Sequence, residues 1–217
     1  MRSGGLMGAV FGALVAAGVV LAANPSKERI ELTKAGQAQA KAEVLRRADV
    51  GSGWRGGFKK PDLSSTMAGC NYRPKQSDLV LNGAAETTWQ KQVSEIDSEA
   101  QVLRTPQMVR LDWQRTVLAP QVMSCLRKGF AKSLGANGKL VSFGLVAFPR
   151  LATYTRAYRA VADLTTALGK LRLDIELVVF GARRTELTLT VSGLASTRAS
   201  LRSTELRLAR LLLSKLR

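Results

Sequence analysis

Leu171-Arg172-Leu173-Asp174-Ile175-Glu176-Leu177-Val178-Val179-Phe180 decides the fold. Apolar residues at 171, 173, 175, 177 and 179 share one side, and Arg172, Asp174 and Glu176 take the other. That period of two is the signature of a half-buried strand in an antiparallel sheet. The neighbouring stretches repeat it. Strands are predicted over 141–148, 154–164 and 185–191, separated by Pro149, Gly169 and Gly181 with Arg183-Arg184, which makes a meander. Upstream, 79–86 is short and apolar. In 96–103, Ile96, Ser98, Ala100 and Val102 alternate with Glu95, Asp97, Glu99 and Gln101, and the acidic side is expected to face water.

Helices flank these strands. One is predicted over 26–48, with Ser26 as its cap, Glu28 and Glu31 in its first turn and Gly36 as an interruption. Thr105-Pro106 pairs a capping hydroxyl with a proline at the first helical position, so a helix begins there. Its buried face carries Val109, Trp113 and Val117. Ala119-Pro120 restarts the chain into a second helix with the stripe Met123, Leu126, Phe130 and Leu134. A closing helix from about 197 to 217 points Leu206, Ala209, Leu213 and Leu216 inward. The sum is an α+β fold: an antiparallel sheet of about five to six strands with helices packed on one face.

The chain opens with Met1-Arg2 and an uncharged run from Ser3 to Ser26 rich in Gly, Ala, Val and Leu. One cation before an apolar core, then small residues at Leu21-Ala22-Ala23, is the layout of a secretory signal peptide. The run from Gly4 to Ala23 also reaches the roughly 30 Å of a bilayer core at about 1.5 Å per residue. Cleavage and retention as a signal anchor therefore both stand. The organisation reads as a signal peptide or anchor at 1–23, an N-terminal helix at 24–48 and a single α+β domain at 49–217. Cys70 and Cys125 are the two cysteines. In an oxidising compartment they read as one disulfide, with two buried thiols as the alternative.

Lys and Arg number 33 against 16 Asp and Glu, a formal charge of +17. Such a balance favours anionic neighbours such as membrane head groups, cell-wall polyanions or nucleic acid, or serves solubility alone. The chain has no histidine, which excludes Ser-His-Asp and Cys-His nucleophiles, imidazole acid–base catalysis and histidine metal ligation. No phosphate-cradling glycine motif occurs, and no cofactor or metal is expected. Carboxylate pairs for glycoside hydrolysis would have to come from Glu95, Asp97 and Glu99, or from Asp174 and Glu176. Two clusters read as ligand-facing. Trp54, Arg55, Phe58 and Lys59 lie in the glycine-rich loop 49–61, and Tyr154, Arg156 and Tyr158 share one side of a strand. The structural alternatives are a tryptophan plugging the core and tyrosines packing across strands.

The order of segments adds a resemblance. Arg47-Ala48-Asp49-Val50-Gly51-Ser52-Gly53-Trp54 is followed by the Cys70 loop and by Ser77-Asp78-Leu79-Val80-Leu81-Asn82-Gly83-Ala84-Ala85-Glu86. Ser98-Glu99-Ala100-Gln101-Val102-Leu103-Arg104 and the helix bearing Cys125-Leu126 come next. Over 45–217 this resembles uncharacterised exported proteins of actinobacteria. More distantly it is similar to the extracytoplasmic sensor-like domains of actinobacterial Ser/Thr kinases and their lipoprotein relatives. It departs from them in carrying no kinase, no lipid-accepting cysteine and no second cysteine pair. The resemblance implies a non-catalytic ligand-binding cleft between sheet and helices, and transfers no ligand contact. The expectation is therefore an exported, non-catalytic module that binds an unidentified ligand or envelope component. It would sit outside the cell or on the outer face of the cytoplasmic membrane. The alternatives are a basic protein of anionic or membrane surfaces, and a carboxylate-dependent hydrolase.

Overall fold

A computed structural model describes residues 29–63, 72, 74–167 and 169–216. The leader at 1–23, Ser26, Glu28 and Cys70 lie outside the described residues. The strands are β1 (Arg29–Ile30), β2 (Arg55–Lys59), β3 (Val80–Lys91), β4 (Ser94–Leu103), β5 (Gly138–Leu145), β6 (Tyr154–Thr166), β7 (Gly169–Ala182) and β8 (Thr185–Leu194). They form one sheet in the order β1-β3-β4-β8-β7-β6-β5, and β2 also pairs with β3. The helices are α1 (Lys34–Glu43), α2 (Arg47–Val50), α3 (Pro106–Asp112), α4 (Gln121–Ser133) and α5 (Arg198–Ser214). A π-helical turn, Trp113–Val117, joins α3 to α4.

The fold is α+β, with two corrections to the expected sheet. First, it has eight strands and is mixed, because β1 runs parallel to β3 while every other pair is antiparallel. The two added strands carry no alternation. β1 has two residues, and β2 reads Arg-Gly-Gly-Phe-Lys, a composition that resembles a loop. Second, helices cover both faces. On the first face, α1, α2 and α5 bury Ala85, Trp89, Ile96, Ala100, Val178, Phe180, Leu187 and Leu189. On the second, the π turn and α4 place Trp113, Val117, Val122, Leu126 and Phe130 against Tyr158, Ala160, Ile175, Leu177 and Val179. β7 is thus sandwiched. Asp174 and Glu176, read as the water side of this strand, are 1% and 2% exposed.

The helix starts follow their signals. Thr105 Oγ1 accepts from the Met108 N–H at 3.3 Å, and Pro106 occupies the first turn. The inward stripe of α5 differs from the expected one: Leu201, Leu208, Ala209 and Leu212 are buried, and Glu205 shares their side. Within the span 24–48, the described chain has α1 and then the short α2. Thr33 Oγ1 caps α1 by accepting from the Gly36 N–H at 2.9 Å. Gly36 does not interrupt the helix. A Cβ there would overlap the Asn82 carbonyl, and one on Gly83 would overlap the Gly36 carbonyl, so α1 and β3 meet backbone to backbone. No helix among the described residues is long and apolar enough to cross a membrane.

This contact generates a prediction. Gly83→Ala forces α1 off β3 and should destabilise the protein by about 1–3 kcal/mol, the usual range for overpacking. Urea unfolding measures it, and an unchanged midpoint would contradict the close approach.

Candidate binding site

The outer edge of β3 is split between two short partners. β1 pairs at Val80 and Leu81, and β2 from Glu86 to Gln90. Pro61 lies two residues beyond the end of β2 and cannot donate to a ladder, so the strand does not extend to close the gap. A recess of about 490 Å³ occupies this place. Ala84 and Ala85 line it from β3, and Gln37 and Lys41 from α1. Leu32, Phe58, Lys59, Lys60, Pro61 and Leu63 complete the lining. Phe58 and Leu32 are 57% and 46% exposed, an apolar surface left open at the mouth. The sequence reading had selected Phe58 and Lys59. It missed the residues from α1 and β3, because no motif links segments so far apart in the chain. The one sequence signal for the gap is Pro61 closing an otherwise unremarkable strand.

The second face of β3 and β4 is acidic. Register places Glu86 opposite Glu99, Thr88 opposite Asp97 and Gln90 opposite Glu95. Glu95, Asp97 and Glu99 are buried rather than facing water. Gln90 Nε2 donates to Glu95 Oε2 at 2.6 Å, Thr88 Oγ1 to Asp97 Oδ1 at 2.6 Å, and Gln101 Nε2 to Glu99 Oε1 at 2.8 Å. Lys59 answers them with an ion pair to Glu86 at 2.6 Å. Burial pushes the Glu99 carboxyl up to about 7. It raises Glu95 as well, and in Asp97 the neighbouring Glu95 adds to the same effect. No cluster of three or more potential metal ligands occurs among the described residues.

The other helix–sheet contacts bury carboxyls too. Burial carries Asp112 of α3 up to about 6, although Gln76 Nε2 donates to its Oδ1 at 2.9 Å. Glu205 of α5 rises to about 9 through burial and the adjacent Glu176, and Arg202 bonds both of them. Arg159 chelates Asp174 through Nε and Nη2. The two carboxylate sets proposed for hydrolysis therefore sit beneath cover, on opposite faces of the sheet.

The two candidate ligand clusters are not brought together. Trp54 packs partly buried against the first-face core, and Arg55 is exposed at the start of β2. Tyr154, Arg156 and Tyr158 do share one side of β6, but that strand lies near the far edge of the sheet. Tyr154 stacks on Trp113 with ring centroids 5.3 Å apart, and Arg156 is half-buried. Tyr158 is fully buried, its hydroxyl 3.5 Å from the Val117 carbonyl, and burial lifts it to about 12. Cys125 is buried on α4.

No protein-family model and no curated protein matches this chain. Three solved structures are similar to it. An uncharacterised protein from Mycobacterium smegmatis, the Rv0999 ortholog, is 11% identical, with 82% of this chain and 97% of that chain covered and a TM-score of 0.43. The extracellular domain of PknH from Mycobacterium tuberculosis is 7% identical over 78% and 94% of the two chains, again at a TM-score of 0.43. LpqN, involved in cell envelope biogenesis of Mycobacterium tuberculosis, is 11% identical over 63% and 81%, at a TM-score of 0.31. They match the resemblance to actinobacterial exported and sensor-like domains read from the sequence.

The buried carboxyls set a pH dependence. Groups raised by folding hold protons that the unfolded chain has already released. Their stabilising contribution is complete below the ordinary carboxyl values near 4, and is lost as pH rises through about 6 for Asp112, 7 for Glu99 and 9 for Glu205. Asp78 works in reverse. Its bond from Arg115 lowers it to about 2, so its contribution is lost only in stronger acid. Tm should therefore be higher at pH 5 than at pH 8 by at least about 3 °C, despite the cationic surface. Thermal melts across this range check it, and a lower Tm at pH 5 would refute it.

Proposed function

We propose that this chain is an exported, non-catalytic binding module of the cell envelope, and that its ligand enters the recess at the split edge of β3. The observation that carries the reading is the recess itself. It has apolar walls, exposed aromatic surface at Phe58 and a volume within the usual 300–1,000 Å³ of ligand pockets. The leader at 1–23 supports export, to the outside or the outer face of the cytoplasmic membrane. Missing histidine supports a non-catalytic role, as does the burial of both carboxylate sets. Phe58 and Lys59 are the contacts retained from the sequence reading. Arg55 and Trp54 flank them on the same strand and turn.

A second reading, docking on an anionic envelope or membrane surface, is favoured by the uneven fate of the charges. Buried acidic side chains are many, whereas no lysine or arginine among the described residues is buried. Association that persists unchanged in molar salt would reject it, because exposed charges are screened within about 3 Å at 1 M. We also propose that Cys70 and Cys125 form the disulfide. The burial of Cys125 and the oxidising compartment support it, and the cross-link would contribute on the order of 4 kcal/mol in the chain-entropy model.

Two measurements test this reading. The exported protein should bind the neutral apolar dye Nile red, with about tenfold weaker binding in Phe58→Asp and in Leu32→Asp, whose exposed positions leave the fold intact. Equal binding in both variants would remove the recess as the site. Intact mass before and after reduction and alkylation should show thiols only after reduction; labelling without reductant would reject the disulfide.

A further inference from the structure

We infer that the recess takes an amphipathic anion, an alkyl or acyl chain ending in a carboxylate or phosphate. This rests on the recess being the ligand site. Leu32, Phe58, Pro61, Leu63 and Ala84 supply a wall with no charge on it, in a recess whose volume of about 490 Å³ has room for an alkyl chain. The ionisable groups that line the recess are Lys41, Lys59 and Lys60, so every lining charge is positive. Lys59 is committed to Glu86. Lys41 and Lys60 are exposed and make no ion pair among the described residues, which leaves two cations available at the edge of an apolar trough.

A ligand must use both halves to bind well. A bare anion gains only from exposed lysines, whose solvated ion pairs contribute little. A neutral chain gains from the wall but leaves the lysines unanswered. Lysine is a compact point charge that sets no fixed fork geometry, so carboxylate and phosphate heads fit alike. Each methylene taken out of water is worth about 0.8 kcal/mol, close to fourfold in affinity, until the chain outgrows the wall.

Displacement of Nile red from the exported protein tests this with hexanoate, octanoate, decanoate, decyl phosphate, decanol and inorganic phosphate. Affinity should rise by up to about fifteenfold for each two carbons added. Decanoate should displace the dye at concentrations at least about tenfold below decanol in low salt, with the gap narrowing as salt is added. Inorganic phosphate alone should not compete. Decyl phosphate against decanoate tells whether a phosphorylated or a carboxylic head is preferred. The double variant Lys41→Ala/Lys60→Ala should lose the preference of decanoate over decanol while decanol itself is unaffected. Decanol equal to decanoate, with dye binding still sensitive to Phe58→Asp, would overturn the anionic ligand and leave the site standing. Dye binding insensitive to Phe58→Asp and Leu32→Asp would overturn the site as well.

Discussion

The structure depends on where its scarce negative charge goes. Of 16 acidic residues, Glu43, Glu95, Asp97, Glu99, Asp112, Asp174, Glu176, Glu186 and Glu205 are buried. An ionised carboxylate taken out of water costs several kcal/mol unless a cation or a proton neutralises it. The two faces of the sheet use different means. On the first face arginines enter from the side: Arg159 chelates Asp174, and Arg202 spans Glu176 and Glu205. On the second face protons and neutral donors serve: burial raises Glu95, Asp97 and Glu99 towards the protonated form, and hydrogen bonds from Gln90, Thr88 and Gln101 partly offset it.

Arg202 shows how much one such group holds together. Besides the two carboxyls it donates to the Ala147 carbonyl at 2.6 Å, and its guanidinium lies 4.6 Å from the centre of the Phe148 ring. It therefore ties α5, β7 and the segment after β5 at a single point. The same arrangement sets the rotation of α5 about its axis, since Glu205 faces the sheet to meet Glu176 of β7, and Arg202 one turn earlier reaches the same carboxyl. The helix buries Leu208 and Leu212 in place of Leu206 and Leu213 as a result. Polar pairing, not the apolar pattern alone, sets the rotation of that helix.

Six strands and the four main helices were legible because each repeats a period or carries a cap. The Leu171–Phe180 alternation and Thr105-Pro106 are the clearest instances. What was not legible follows from tertiary context. Alternation distinguishes two sides of a strand but not which of them is wet, so Asp174 and Asp97 were both assigned to solvent. The apolar stripes of four helices exceed what one sheet face can hold, and that surplus was the available hint of coverage on both. Of the candidate site, Phe58 and Lys59 were found through an aromatic–basic composition. Lys41, Ala84 and Leu32 join them only because Gly36 and Gly83 allow α1 to settle on β3. Tyr154 and Tyr158 share a side as predicted, yet that side lies under the π turn and α4.

The sorting of charge gives the molecule an outward positive field that strengthens as its interior takes up protons. Lysine and arginine change state only above about pH 10, and there is no imidazole to change near neutrality. Five of the described acids outside the core have cationic partners: Glu31 with Arg104, Asp49 with Lys215, Asp78 with Arg115, Glu86 with Lys59 and Asp163 with Arg172. Protons taken up between pH 8 and 5 are therefore absorbed by the interior, and each adds a positive charge to the field that an approaching solute meets. For a protein exposed to surroundings whose acidity it does not control, attraction of an anion is in this way reinforced, never reversed, by acid.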